Sequence, residues 1–167
     1  MQSFQSNLDT ARPDPDRLYV IREIDLGEQC DQGIGRYPIR EGREYLCFVS
    51  KVDSDGNEVA GIKLPDLTVP LGTHTGWNPR SEESGAADQL MSMEGFSRFF
   101  APMQLERENV NDSRLSIQER YQDKQQYLTL VREETNILVE QRYLLQQDVK
   151  TILMSCASLY DSVKTLY

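Results

Sequence analysis

The chain has 167 residues, 38% of them hydrophobic, a formal net charge of −9 and a pI near 4.7, which suits one domain with a small core or a piece of a larger domain. An acidic surface repels phosphate, and the basic residues are scattered among acids, so neither nucleic acid nor an anionic membrane is expected as a partner. No stretch approaches the roughly 18 consecutive apolar residues of a membrane span, and the first residues lack the basic and apolar regions of a secretion signal.

Residues 1–16 are polar and carry Pro13 and Pro15, so they are expected to form a disordered leader. From 17 to 80 the pattern is strand and loop. Leu18-Tyr19-Val20-Ile21 and Tyr45-Leu46-Cys47-Phe48-Val49 are apolar, β-favouring runs and are predicted as strands, separated by a glycine-containing loop over 26–36. Asp53-Ser54-Asp55-Gly56-Asn57 is dense in turn residues, and its flanks are expected to pair as a hairpin. Gly61 suggests a bulge or a close backbone approach. Pro65 and Pro70 each lack an amide donor, so Lys63–Gly72 is predicted to be extended with corners, lying along another surface.

Residues 81–113 are expected to link, with an aromatic cluster inside. Ser81–Asp88 reads as loop, Met91–Phe100 as a helical turn or flap, and Glu106–Ser113 as polar linker. Residues 114–167 read as a helical pair. Ser116 and Glu119 match a capping box, and the helix they open is predicted to run to about Arg142. Its apolar face carries Ile117, Tyr121, Leu128, Val131, Leu138 and Val139. A second helix opening near Asp148 carries Val149, Ile152, Leu153, Cys156, Leu159, Tyr160, Val163 and Leu166 on one stripe. The two predict an antiparallel pair that needs a further surface to cover it. Strands first and helices last make the fold class α+β.

The chemistry is sparse. Serine hydrolysis on a strand–turn–helix elbow needs G-x-S-x-G, which this sequence lacks. His74, the sole histidine, is a candidate base with Asp66 as its orienter, against a loop histidine held by local hydrogen bonds. Asp53, Asp55, Asn57 and Glu58 suggest calcium, but Gly56 falls fourth and Leu64 twelfth, where an EF-hand loop needs glycine sixth and glutamate twelfth. Trp77 reads as an aromatic platform or a packing anchor, and Phe96, Phe99 and Phe100 as an entrance or a packed cluster. Cys30, Cys47 and Cys156 are too scattered for a zinc site or a disulfide framework, so a reduced, cytoplasmic setting is the default, although the compartment itself is not readable. No catalytic, cofactor-binding or metal-ligating residue is assigned, and no cofactor is expected.

One stretch is distinctive. VDSDGNEVAGIKLPDLTVPLGTHTGWN resembles the segment near the C-terminus of a family of bacterial alpha/beta-hydrolase domain proteins, whose pattern there is D-x-DGNE-xAGIR-LPD-xxVPL-xTxTGWN. The likeness extends to Ile21–Gly33, to Tyr45–Val49, and to SIQERY at 116–121 and LLQQD at 144–148, which resemble that family's SLEERY and LLPED. Lys63 replaces the usual arginine, and His74 stands where similar sequences have tyrosine. The resemblance implies that the serine elbow lies upstream of this segment. Asp55, Gly56, Asn57, Gly61, Pro65, Asp66, Pro70, Gly76 and Trp77 match the motif and are read as structural. The chain is then expected to be the C-terminal part of a protein that hydrolyses an ester or similar bond, structural and without catalysis of its own. Its partner would be an alpha/beta-hydrolase catalytic domain, or another copy through the C-terminal helices. The alternatives are a stand-alone helical interaction module and a small hydrolase using His74.

Overall fold

The computed structural model describes residues 13–166. Among the described residues the architecture is α+β: two small antiparallel sheets, each of two strands, and five α-helices. Strand β1 (Arg22–Asp25) pairs with β2 (Arg40–Glu44), and β3 (Gly72–Thr75) pairs with β4 (Phe96–Phe99). The helices are α1 (Pro65–Thr68), α2 (Gln104–Asn109), α3 (Ile117–Arg120), α4 (Lys124–Glu140) and α5 (Val149–Lys164).

The first sheet forms beside the two apolar runs predicted as strands. Its ladder starts one residue after Ile21 and ends one residue before Tyr45, with a single bond from the Tyr45 amide to the Ile21 carbonyl (2.9 Å) carrying it outward. Opposite charges hold it: Arg22 meets Glu44 (2.5 Å), Arg43 meets Glu23 (2.9 Å), and Arg36 meets Asp25. Cross-strand charge pairs of this kind favour the register, while much of the two apolar runs stays exposed. Leu46 and Phe48 are 87% and 88% exposed.

The Asp53–Asn57 turn forms as the sequence predicts. Gly56 takes φ +82° and donates to the Asp53 carbonyl (3.0 Å). Its flanks, however, pair only through the bridge of Val52 with Glu58 rather than as a two-stranded hairpin.

The Lys63–Gly72 run is not extended throughout, because Pro65 opens α1 at the first helical position, where its missing amide and fixed φ cost nothing. Part of this run packs on the chain's own helices. Pro65, Val69 and Leu71 are buried, and α1 packs on α4. Likewise Met91–Phe100 supplies a strand rather than a helical turn, and the polar stretch after Met103 is helical. In α2 the Glu106 carboxylate reaches back to the Met103 amide (3.1 Å) to satisfy an otherwise orphan donor.

The Ser116 capping box is present: the Glu119 amide donates to Ser116 Oγ (3.3 Å), and the Ser116 amide donates to the Glu119 carboxylate (2.8 Å). The helix it opens does not continue to Arg142. It stops at Tyr121, whose backbone is extended at φ −128° and ψ 128°, and Asp123 caps a new helix by accepting from the Gln126 amide (2.8 Å). The break turns Tyr121 inward, where its hydroxyl donates to the Pro70 carbonyl (2.8 Å).

Helix α4 packs along α5. Lys124 near the start of one bridges Asp161 near the end of the other (2.6 Å), so the two run in opposite directions. Between them and α1–β3 lies the core: Val69, Leu71, Phe100, Ile117, Tyr121, Tyr127, Val131, Cys156, Tyr160 and Val163. Tyr127 is its hub, stacked on Tyr160 and edge-on to Tyr121, with centroids 5.1 Å away in both cases. At roughly 1.5–3 kcal/mol for each buried aliphatic or aromatic side chain, this layer is the main stabilising contribution. Among the described residues no helix is long and apolar enough to cross a membrane.

Candidate functional site

The residues that carry the sequence motif converge on the β3–β4 sheet. Asn57, wholly buried, leaves the turn and lies along the outer edge of β3. Its Nδ2 donates to the Gly72 carbonyl (3.0 Å), its Oδ1 accepts from the His74 amide (2.8 Å), and its own amide donates to Asp53 Oδ1 (3.0 Å). One asparagine side chain thus does the work of a third strand, satisfying edge groups that burial would otherwise leave unpaired. Gly72 is required by the other edge: a Cβ there would stand 2.7 Å from the Arg98 carbonyl oxygen and 2.8 Å from Phe99 Cα.

Two arginines lock the turn and the sheet to the helices. Arg120 makes a two-point pair with Asp55 (2.9 and 2.5 Å). Arg114, almost fully buried, takes both carboxylate oxygens of Asp112 (2.9 and 2.6 Å) and also donates to Thr73 Oγ1 (2.7 Å) and the Arg98 carbonyl (2.9 Å). The Thr73 hydroxyl in turn donates to the Asp55 carbonyl. Both guanidiniums lie against the buried Phe100 ring, Arg120 at 4.1 Å and Arg114 at 5.0 Å from its centroid. Burial pushes the Asp112 carboxyl up, but the bonds from Arg114 and the charge of Arg98 outweigh it and hold the group below its ordinary value. Glu119 is held at about 2, first by the side-chain bond from Arg107 and then by the bonds from Ser116.

His74 sits on β3 opposite Ser97 of β4, and its Nδ1 is 2.9 Å from Ser97 Oγ. Burial lowers its pKa below 6.5, with the charge of Asp66 opposing, so the ring is neutral at pH 7. The Phe99 ring stands edge-on to it at 6.1 Å. Ser97 is exposed, and the Asp66 carboxylate makes no hydrogen bond to His74.

The comparisons with known proteins bear on these same residues. A family model described as Alpha/beta hydrolase domain matches residues 20–154. The chain belongs to that alpha/beta-hydrolase family. Neither the curated proteins nor the solved structures give a significant match.

Within this family member the turn carboxylates are already engaged. Asp53 accepts from two backbone amides, those of Asp55 (2.9 Å) and Asn57, and Asp55 is taken by Arg120. Among the described residues no group of three His, Cys, Asp or Glu side chains is placed to hold a metal ion. Phe100 is core, while Phe96 and Phe99 are half-buried beside it. Trp77 is half-buried too, and it lines a cleft of about 590 Å³ with Leu18, Tyr19, Phe48, Val49 and Leu90.

Three participants escape a reading of the sequence: Ser97, Arg114 and Arg120. Ser97 meets His74 only through the β3–β4 register, for which neither strand carried a signal. Arg120 was findable, since SIQERY and DGNE belong to one resemblance and contain opposite charges.

Proposed function

We propose that this chain is the non-catalytic, C-terminal part of an alpha/beta-hydrolase protein whose catalytic body cleaves an ester or similar bond. The observation that carries the reading is the fate of the motif. Asp55 is consumed by Arg120, Asn57 by the edge of β3, and the Pro70 carbonyl by Tyr121, so these residues hold the chain together rather than face a substrate. SIQERY contributes all of its last three side chains to this purpose, through Glu119 to Arg107, Arg120 to Asp55 and Tyr121 to Pro70. The test is turnover of short-chain p-nitrophenyl esters by the purified chain. No hydrolysis above buffer is the expected result.

A second reading, a small hydrolase using His74, is favoured by the hydrogen bond to Ser97, since a neutral imidazole beside an exposed serine is the pairing that nucleophilic catalysis needs. Among the described residues no second buried group orients the ring from Nε2, and the cross-strand pair equally serves to close the sheet. Saturable ester turnover that is lost in both His74→Ala and Ser97→Ala would establish this reading and overturn the first.

A further inference from the structure

We propose that the cleft lined by Trp77 is a binding site for an amphiphilic organic cation, an alkylammonium whose chain lies along the apolar walls with its head group beside Asp88. The site goes beyond the reading of the chain as part of a hydrolase and does not depend on it.

The walls come from stretches that backbone bonds fasten to one another. The Tyr19 amide donates to the Asp88 carbonyl (2.7 Å), which ties residues 18–21 to the loop before β4. That loop is tied in turn to the residues after Trp77. The Arg80 amide donates to the Gln89 carbonyl and the Met91 amide to the Asn78 carbonyl, both at 2.8 Å, and Pro79 is bridged to Leu90. The remaining wall, residues 47–50, follows directly on Tyr45, whose amide donates to the Ile21 carbonyl (2.9 Å). Fastened backbone therefore frames the hollow. Its volume, about 590 Å³, falls within the roughly 300–1,000 Å³ of small-molecule sites.

The lining selects the occupant. Most of the side chains are apolar, and three of them, Tyr19, Phe48 and Trp77, are aromatic. An aromatic face attracts a cation through its quadrupole, and rings gathered around one hollow are how proteins take alkylated ammonium groups. Asp88 is the only acid in the lining, and no lysine, arginine or histidine joins it. Asp55, Asp112 and Asp161 are each paired with a base, but among the described residues the Asp88 carboxylate makes neither a hydrogen bond nor an ion pair. An anionic amphiphile would meet that carboxylate on a chain of net charge −9, and a neutral one would leave it without a partner. A cation satisfies both the rings and the acid.

Trp77 is the sole tryptophan, so its fluorescence reports the cleft directly. The full chain is titrated with decyltrimethylammonium, decanoate and decanol, each below its micelle or solubility threshold. The expected result is a saturable change with decyltrimethylammonium, about tenfold tighter than with either of the others. Asp88→Asn keeps the backbone carbonyl that holds Tyr19 and should remove most of that preference. Phe48→Ala, at a position 88% exposed, should weaken the cation about fivefold without disturbing the fold. Glu133→Gln removes an equal charge from an exposed position on α4 that does not line the cleft, and the preference should survive it. A loss there as large as in Asp88→Asn would mean that net charge attracts the cation, and would overturn the site. Equal affinity for the three probes would reduce the cleft to apolar surface and overturn it as well, as would the absence of any saturable response to decyltrimethylammonium. The hydrolase-part reading is decided separately, by the ester assay.

Discussion

Arg120 and Asp55, 65 positions apart, meet in a two-point ion pair stacked on the Phe100 ring, each side chain only 15% exposed. This contact joins the DGN turn to the α3 terminus, and no other long-range ion pair joins the turn to the helices among the described residues. Removing one member leaves the other charge partly desolvated. Arg120→Ala should cost about 3 kcal/mol, toward the lower end of the range for breaking a buried pair because these side chains retain some solvent. Arg120→Lys should lose more than half of that, since lysine keeps the charge but neither the two-point geometry nor the flat stack. Urea unfolding followed by tryptophan fluorescence reads both. Equal stability of all three proteins would mean the pair is ornamental.

The Asn57 side chain should matter nearly as much, with no charge involved. Its amide satisfies the Gly72 carbonyl and the His74 amide inside a wholly buried site. Asn57→Ala orphans both, so a loss of at least about 2 kcal/mol is expected, at roughly 1–3 kcal/mol for each of the two unsatisfied groups. Thermal melting should move down by several degrees, and the amide of His74 should lose its protection from hydrogen exchange. A melt within one degree of the parent would show that water replaces the asparagine freely.

These two positions also mark what the sequence disclosed. Asn57 and Asp55 were legible as turn residues, because turn chemistry is local. The capping box at Ser116 was legible for the same reason, and so were Val131, Cys156, Tyr160 and Val163, whose spacing alone places them on buried stripes. The break at Tyr121–Asp123 was not, since Ile117, Tyr121 and Leu128 keep helical spacing across it and the partner of the Tyr121 hydroxyl, the Pro70 carbonyl, is distant in sequence. The first sheet was misplaced by one element's width because charge pairing, not apolar alternation, sets its register. At the candidate site His74 stood out as the sole histidine. Ser97 did not, being related to it only through pairing of two strands 23 residues apart.

Gly72 offers a steric test of that strand pairing. A methyl group there would collide with backbone atoms of Arg98 and Phe99, which cannot rotate away as a side chain can. Gly72→Ala should therefore prise β3 from β4 and cost about 1–3 kcal/mol, the usual range for overpacking. The His74–Ser97 contact should open with it, visible as a rise of the His74 pKa toward 6.5 in proton NMR. An unchanged histidine titration in a stable variant would show that the sheet yields elsewhere.

The dependence of stability on pH should carry two separate signatures. Glu119 is held at about 2 in the folded chain, principally by Arg107, against an ordinary value of 4.5. A depressed carboxylate stabilises fully above its unfolded value and loses that contribution as the pH falls through the folded one. Stability should thus decline between about pH 4.5 and pH 2, and Glu119→Gln should flatten part of that decline. Asp112, held low by Arg114 against its own burial, acts in the same direction and accounts for a further part. His74 acts at higher pH. Burial lowers its folded pKa below 6.5, so the unfolded chain binds the extra proton first, and stability should begin to fall as the pH drops below about 6.5. His74→Phe removes that step while keeping a ring against Phe99. Urea midpoints measured from pH 8 to pH 2 separate the two regions. A parent curve flat from pH 7 to pH 5, superimposable on that of His74→Phe, would mean that the imidazole titrates as freely in the fold as in water.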